Sequence, residues 1–141
     1  MTINSGLFKA YDVRGVYPGE INEGAVCEIS RTLGKFFKRG TVVLGRDARI
    51  SSPRLYNAAR NALLENKSIK ILAAGMITTP ELYFLVNYFK ANGGIMITAS
   101  HNPPKYNGMK VVGAGAGPIS GEDVRRYVKT QNAKVKSTSQ R

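Results

Sequence analysis

From Val26 onward the apolar positions Val26, Ile29, Leu33, Phe36 and Phe37 recur at helical spacing, which predicts a helix from about Asn22 to Lys38 that Gly40 stops. The run Thr41-Val-Val-Leu44 is short, β-branched and closed by Gly45, the pattern of a buried strand. Ser52-Pro53 then reads as an N-cap and first-turn proline, opening a helix whose apolar face is Leu55, Ala59, Ala62 and Leu63. A second buried strand is predicted at Ile69 to Ala74. Thr79-Pro80-Glu81 repeats the cap, proline and acidic first turn, ahead of a stripe of Leu82, Leu85, Val86 and Phe89 that Gly93-Gly94 ends. Ile95 to Ile97 and Met109 to Val112 supply two more strands. Ser120 and Asp123 have capping-box spacing for a last helix, Gly121 to about Lys129. Residues 132–141 show no apolar period and are expected to be a basic linker or disordered tail, leaving residues 1–131 as one domain.

Strands alternating with helices of this length predict an α/β domain: three α/β/α layers around a mixed, mostly parallel four-stranded sheet. Ligands of such folds gather at the loops beyond the carboxyl ends of the strands. Three such loops stand out here, at residues 45–52, 75–80 and 98–108.

Composition sharpens this picture at three points. The formal net charge of +12 invites a nucleic-acid or polyanion reading, yet half of it lies in the six basic residues from Arg125 onward, where no acid occurs. A moderately basic body suits any phosphate-bearing ligand, and no nucleic-acid motif accompanies the charge, so a small polyanion-binding protein stands as the alternative and nucleic acid as the less favoured partner. The single cysteine, Cys27, excludes an internal disulfide framework. With no apolar run of membrane-spanning length and a polar start, no membrane partner and a cytoplasmic location are expected.

The chemistry concentrates in loop 98–108. Ser100 follows a buried strand, so a rigid element delivers its hydroxyl to the rim, and the only histidine, His101, stands beside it as a candidate proton carrier. The same residues also suit an ordinary turn. Lys105 and Lys110 place two ammonium groups within ten residues of the hydroxyl, and phosphoryl transfer to or from serine needs cations to hold the transferred charge. Near the amino terminus, Tyr11, Asp12 and Arg14 form a second group, in which Arg14 offers a planar fork suited to phosphate. An edge strand with a surface arginine paired to Asp12 is the plainer alternative. Arg46, Asp47 and Arg49 read as a local ion-pair network shaping the rim. The glycine-rich stretch Gly113 to Gly117 lacks the Lys-Ser/Thr of a phosphate loop and reads as a connector.

Five segments in order, Phe8-Lys-Ala-Tyr-Asp-Val-Arg-Gly15, Gly45-Arg-Asp47, Thr78-Thr-Pro80, Thr98-Ala-Ser-His-Asn-Pro103 and Tyr106-Asn-Gly-Met-Lys110, resemble the α-D-phosphohexomutase family, in its phosphomannomutase/phosphoglucomutase branch. The resemblance covers nearly residues 7 to 125 and matches only the first of the family's four domains. It implies that Ser100 is the phosphoserine of a hexose-phosphate mutase and a Mg²⁺ ligand through its phosphate. Arg14 and Lys110 would surround the transferring group, Tyr11 would lie at the substrate edge, and His101 and Asn102 would flank the phosphoserine. The resemblance also implies a bisphosphorylated intermediate moving phosphate between the 1- and 6-positions, hexose phosphates as substrates, and glucose 1,6-bisphosphate as activator. The other Mg²⁺ ligands are expected from a second domain that this chain lacks, so the isolated chain is expected to be inactive.

Overall fold

A computed structural model describes residues 3–139. They run β1 (Val13–Val16), α1 (Glu23–Phe37), β2 (Gly40–Arg46), α2 (Ser52–Leu63), β3 (Ile69–Met76), α3 (Thr79–Tyr88), β4 (Gly93–Ile97), β5 (Tyr106–Gly113), β6 (Pro118–Ile119) and α4 (Gly121–Thr138), with 3-10 turns at Ser5–Leu7 and Ala114–Ala116.

The helix starts follow from capping chemistry. The Asn22 side chain accepts from the Ala25 N–H and opens α1, whose residues Val26, Ile29, Leu33 and Phe37 are buried. Two caps lie one residue earlier than the sequence pattern suggests. Ser51 holds the N-cap position of α2 without a side-chain capping bond, and Thr78 caps α3 in a reciprocal box with Glu81. A proline in each first turn needs no N–H partner, so it tolerates either frame, and tertiary contacts choose. At α2 the choice is visible, because Ser52 is buried and its hydroxyl donates to Asp47 Oδ1 at 2.5 Å.

The three layers are as expected. Alternation along β2 sends Val42 and Leu44 toward α1, α2 and α4, while Val43 joins Leu82 and Val86 of α3 on the opposite face. The sheet departs from expectation: it has six strands instead of four, in the order β1-β5-β4-β2-β3 with β6 beside β5. Only β2 with β3 and β2 with β4 are parallel, and the other three pairings, all made by β5, are antiparallel. The physical reason is connection length. The loop from β4 to β5 holds no helix and cannot make a parallel crossover, so β5 must return antiparallel. Strands β1 and β6, of four and two residues, are too short for a period to register. Strand β3, expected to be buried, is an edge strand in which Ile69 alone is fully covered.

Helix α4 passes its expected end near Lys129 and continues to Thr138, so residues 132–138 are helical and not disordered. Val124 and Val128 anchor its first turns, and no proline or glycine follows Gly121 to interrupt propagation. Gln140 and Arg141, the end of that expected tail, lie outside the described residues. No described helix is long and apolar enough to cross a membrane.

Between β1 and α1 the Tyr17 hydroxyl donates to Glu23 Oε1 at 2.7 Å and holds the Glu23 carboxyl below its ordinary range. A lowered carboxylate pKa means the stabilisation is complete above the unfolded value and is lost as pH falls through the folded one. Tyr17→Phe is therefore expected to leave Tm nearly unchanged below about pH 3 and to lower it modestly above about pH 5. A Tm difference that is the same at both pH values would contradict this.

Candidate functional site

Strand β4 is buried along its whole length, and Thr98 and Ala99 continue that burial before the chain surfaces at Ser100. Ser100 takes a left-handed conformation with φ 55°. For a residue other than glycine this costs about 1–2 kcal/mol, so the turn persists only if its surroundings enforce it. They do. The Ser100 N–H donates to Thr98 Oγ1 at 3.0 Å, and the Asn102 N–H to the Ala99 carbonyl at 3.1 Å.

Arg49 supplies the larger restraint. Its Nη2 donates to the carbonyls of Ser100 (2.9 Å) and Asn102 (2.8 Å), and its Nη1 to those of Pro103 (2.7 Å) and Tyr106 (3.1 Å). Nε of the same guanidinium is held by Asp47 Oδ2 at 3.0 Å. Asp47 in turn accepts from Thr98 Oγ1 at 2.8 Å and from Ser52, so β2, α2 and β4 meet at one carboxylate. The local network expected of Arg46, Asp47 and Arg49 is present, with Arg46 Nη1 on the Asp47 carbonyl at 3.1 Å. Its reach into the serine loop is not visible in the sequence.

Arg14 arrives from the other side of the loop. Strand β1 sets it opposite Gly108, its Nε donates to Asp12 Oδ1 at 2.7 Å, and its Nη1 to Asn102 Oδ1 at 2.5 Å. Arg14 is paired with Asp12, as the plainer reading expects, and also touches the serine loop. Asp12 is buried, and its second oxygen, Oδ2, has no partner among the described residues. Lys110 lies two residues along β5 from Gly108, on the same face, a diagonal neighbour of Arg14. Among the described residues Lys110 makes no ion pair, whereas Arg14 is balanced by Asp12 and Arg49 by Asp47.

Of the residues singled out in the sequence, Ser100, Asn102 and Arg14 are brought together at the serine loop, while Lys110 lies farther along β5, paired with Met96. His101 is exposed beside Ser100, and Tyr11 is 77% exposed on the turn before β1; neither is hydrogen-bonded through its side chain among the described residues. Sequence reasoning missed Thr98 and Asn107 as supporting residues. Asn107 is fully buried, donates to Ser51 Oγ (2.8 Å) and Ser52 Oγ (2.9 Å), and accepts from the Gly108 N–H (2.8 Å). The available signal was a polar residue within an apolar strand pattern, which folded proteins bury only when its hydrogen bonds are met.

The arrangement offers an exposed hydroxyl on an enforced turn, which the paired Arg14 reaches through Asn102. That suits an anionic group carried on the serine. For a divalent metal the described residues offer no cluster of three His, Cys, Asp or Glu, and Asp12 and Asp47 are each engaged by an arginine.

Comparison with known proteins identifies the family and the fold. Residues 5–137 match the model of the phosphoglucomutase/phosphomannomutase family, alpha/beta/alpha domain I. A phosphomannomutase of Escherichia coli is 43% identical over 129 residues, covering 89% of this chain and 28% of that protein. One from Salmonella typhimurium LT2 is 46% identical over 121 residues, 86% of this chain and 26% of the relative. The crystal structure of a phosphoglucomutase/phosphomannomutase family protein from Burkholderia thailandensis superposes with a TM-score of 0.82 at 28% identity, over 96% of this chain and 31% of that one. The chain therefore spans little more than a quarter of the length of these two enzymes. This chain belongs to the phosphoglucomutase/phosphomannomutase family, as its α/β/α domain I.

Proposed function

We propose that the chain is the phosphoserine-bearing domain of a hexose-phosphate mutase, with Ser100 Oγ as the atom that gives and receives the phosphoryl group. The observation that carries this reading is the left-handed Ser100 turn, clamped by Arg49 and reached by Arg14 through Asn102. A turn held at such cost keeps one hydroxyl oxygen in a fixed position, and in-line phosphoryl transfer depends on position.

In the forward half-reaction a sugar hydroxyl oxygen bonds to phosphorus as the bond from phosphorus to Ser100 Oγ breaks. The proton leaving the sugar hydroxyl ends on Ser100 Oγ, with the His101 imidazole as its carrier. The bisphosphorylated hexose then presents its other phosphate, which returns to Ser100 Oγ in the reverse sense, so the net change is isomerisation between the 1- and 6-positions. Arg14 and Lys110 hold the charge on the transferring oxygens, Asn102 orients Arg14, and Tyr11 borders the sugar. Magnesium would neutralise phosphoryl oxygens. From this chain it could receive an oxygen of phosphorylated Ser100, and the described carboxylates do not complete a site. The remaining ligands and the hold on the distal phosphate would come from regions this chain does not span, so mutase turnover by the chain alone is expected to be negligible.

Two of the basic residues behind the polyanion alternative are already paired on α4, Arg125 with Glu122 and Arg126 with Asp123. The deciding experiment is peptide mass spectrometry after incubation with glucose 1,6-bisphosphate and Mg²⁺, which reloads Ser100 if the reading holds. One phosphate on Ser100, absent in Ser100→Ala, is expected. Phosphate on another residue, or none on Ser100 while the fold is intact and the remaining regions of a full-length family member are supplied in trans, would refute it.

A further inference from the structure

Among the described residues Asp12 is the one buried acid, with its side chain 1% exposed. Burying a carboxylate is costly unless its oxygens are met, yet only Oδ1 is used: it accepts from Arg14 Nε at 2.7 Å, while Oδ2 has no partner. Side-on pairing of a carboxylate with arginine ordinarily takes two parallel bonds, one from Nε and one from Nη2. Here the second bond is not made. Arg14 Nη1 instead donates to Asn102 Oδ1 at 2.5 Å, and Nη2 has no acceptor among the described residues.

Two acceptors on different nitrogens fix both the plane of a guanidinium and its rotation within that plane, where one alone would let it pivot. Both acceptors stand on firm backbone. The Asp12 carbonyl accepts from the Lys9 N–H at 2.7 Å, and Gly121 packs so closely that a Cβ there would lie 2.4 Å from the same carbonyl oxygen. Asn102 is held by its own N–H on the Ala99 carbonyl and by Arg49 on its carbonyl oxygen. The free nitrogen of Arg14 is therefore presented at the serine loop in one orientation.

We propose that Asp12 is a positioning residue, which by taking Nε alone sets the Arg14 guanidinium with Nη2 turned to a phosphoryl group on Ser100. The unmet Oδ2 is the counterpart of that arrangement, because a two-bond pair would have occupied Nη2. This inference rests on the reading of Ser100 as the phosphorylated residue.

Heteronuclear NMR of the arginine side chains tests it in the unsubstituted chain, comparing Ser100 with phosphoserine installed at that position during translation. The Arg14 Nε–H signal is expected to stay in place, since Asp12 keeps its bond, while the Nη2 protons shift and exchange more slowly. A displaced Nε signal would mean that phosphate draws Arg14 off Asp12, and an unmoved Nη2 that the guanidinium is not aimed at the serine. Either overturns the proposal. Asp12→Asn is isosteric and still an acceptor for Nε, so it should preserve the Nη2 response, whereas Asp12→Ala should lose it.

The rate of loading Ser100 from glucose 1,6-bisphosphate and Mg²⁺, with the remaining regions of a full-length family member supplied in trans, gives the second readout. Asp12→Asn should stay within about threefold of the unsubstituted chain, and Asp12→Ala should lower the maximal rate more than about tenfold at a nearly unchanged half-saturating donor concentration. Asparagine as harmful as alanine would make charge, and not aim, the role of Asp12 and would also overturn the proposal. If Asp12→Ala does not melt cooperatively, the spectra of the unsubstituted chain and of Asp12→Asn decide. Because phosphoserine is installed and not acquired, an unsubstituted chain that fails to load refutes the phosphoserine function, while the spectra still judge Asp12.

Discussion

Replacing Arg49 by alanine is expected to lower Tm by about 10 °C and to slow phosphorylation of Ser100 by about a hundredfold. The guanidinium donates to four carbonyls of the serine loop and to Asp47, and its side chain is only 12% exposed. Truncation leaves those carbonyls without a donor and Asp47 without its counter-charge. Removing one member of a largely buried pair costs about 3–5 kcal/mol, against about 1 kcal/mol for an exposed one. The effect on phosphorylation has a separate origin. Without the clamp Ser100 can relax from φ 55° toward ordinary backbone angles, and its hydroxyl moves by the ångström that phosphoryl transfer does not tolerate. Arg49→Lys should rescue little, because an ammonium cannot bridge carbonyls in the plane that the five-donor fork spans. Thermal melts together with phosphorylation rates, taken where both proteins are folded, check the two effects. An unchanged rate in folded Arg49→Ala would show that the clamp does not position the serine.

Gly108→Ala is expected to destabilise the domain by about 3 kcal/mol and to detach β1. A Cβ at this position would lie 2.0 Å from the Val13 carbonyl oxygen and 3.0 Å from that of Thr98, both backbone atoms that no rotamer change can move. The same Cβ would meet Arg14 Cγ at 3.0 Å, so the displaced strand carries Arg14 away from Asn102. Gly113→Ala is the control: its nearest contacts, at 3.8 Å, are ordinary van der Waals distances, and its effect should stay within about 0.5 kcal/mol. Urea midpoints and hydrogen exchange of the β1 amides distinguish the outcomes. If Gly108→Ala were as mild as Gly113→Ala, close approach would not be the reason for glycine at this position.

Much of this molecule is legible before folding. The stripe Val26, Ile29, Leu33 and Phe37 located α1 to within a residue, because an amphipathic helix writes its buried face at a local spacing. Ser120 with Asp123 marked the start of α4 for a similar reason: the Asp123 N–H reaches Ser120 Oγ at 3.1 Å within one turn. The five family segments pointed to Ser100, Arg14 and Lys110 together. Arg49, by contrast, carries its meaning in bonds to Asn102 and Tyr106, 53 and 57 residues away, and nothing near it in the chain announces them. Strand β1 was readable only as an alternative, since four residues hold too little pattern to separate a strand from a loop.

The sequence by itself determined α1 to α3, the start of α4, the central strands and the layered α/β class, which rest on spacing within about twenty residues, and the family, which rests on five segments in order between Phe8 and Lys110. Tertiary structure alone decided that β5 runs antiparallel, that β3 stands at an edge with α3 half-covered, and which cations are already spent on Asp12 and Asp47. Those outcomes depend on contacts such as that of Arg14 with Asn102, 88 residues apart. Local periodicity records which face of an element is apolar. It holds no record of which neighbour covers that face, or which distant carboxylate balances a charge.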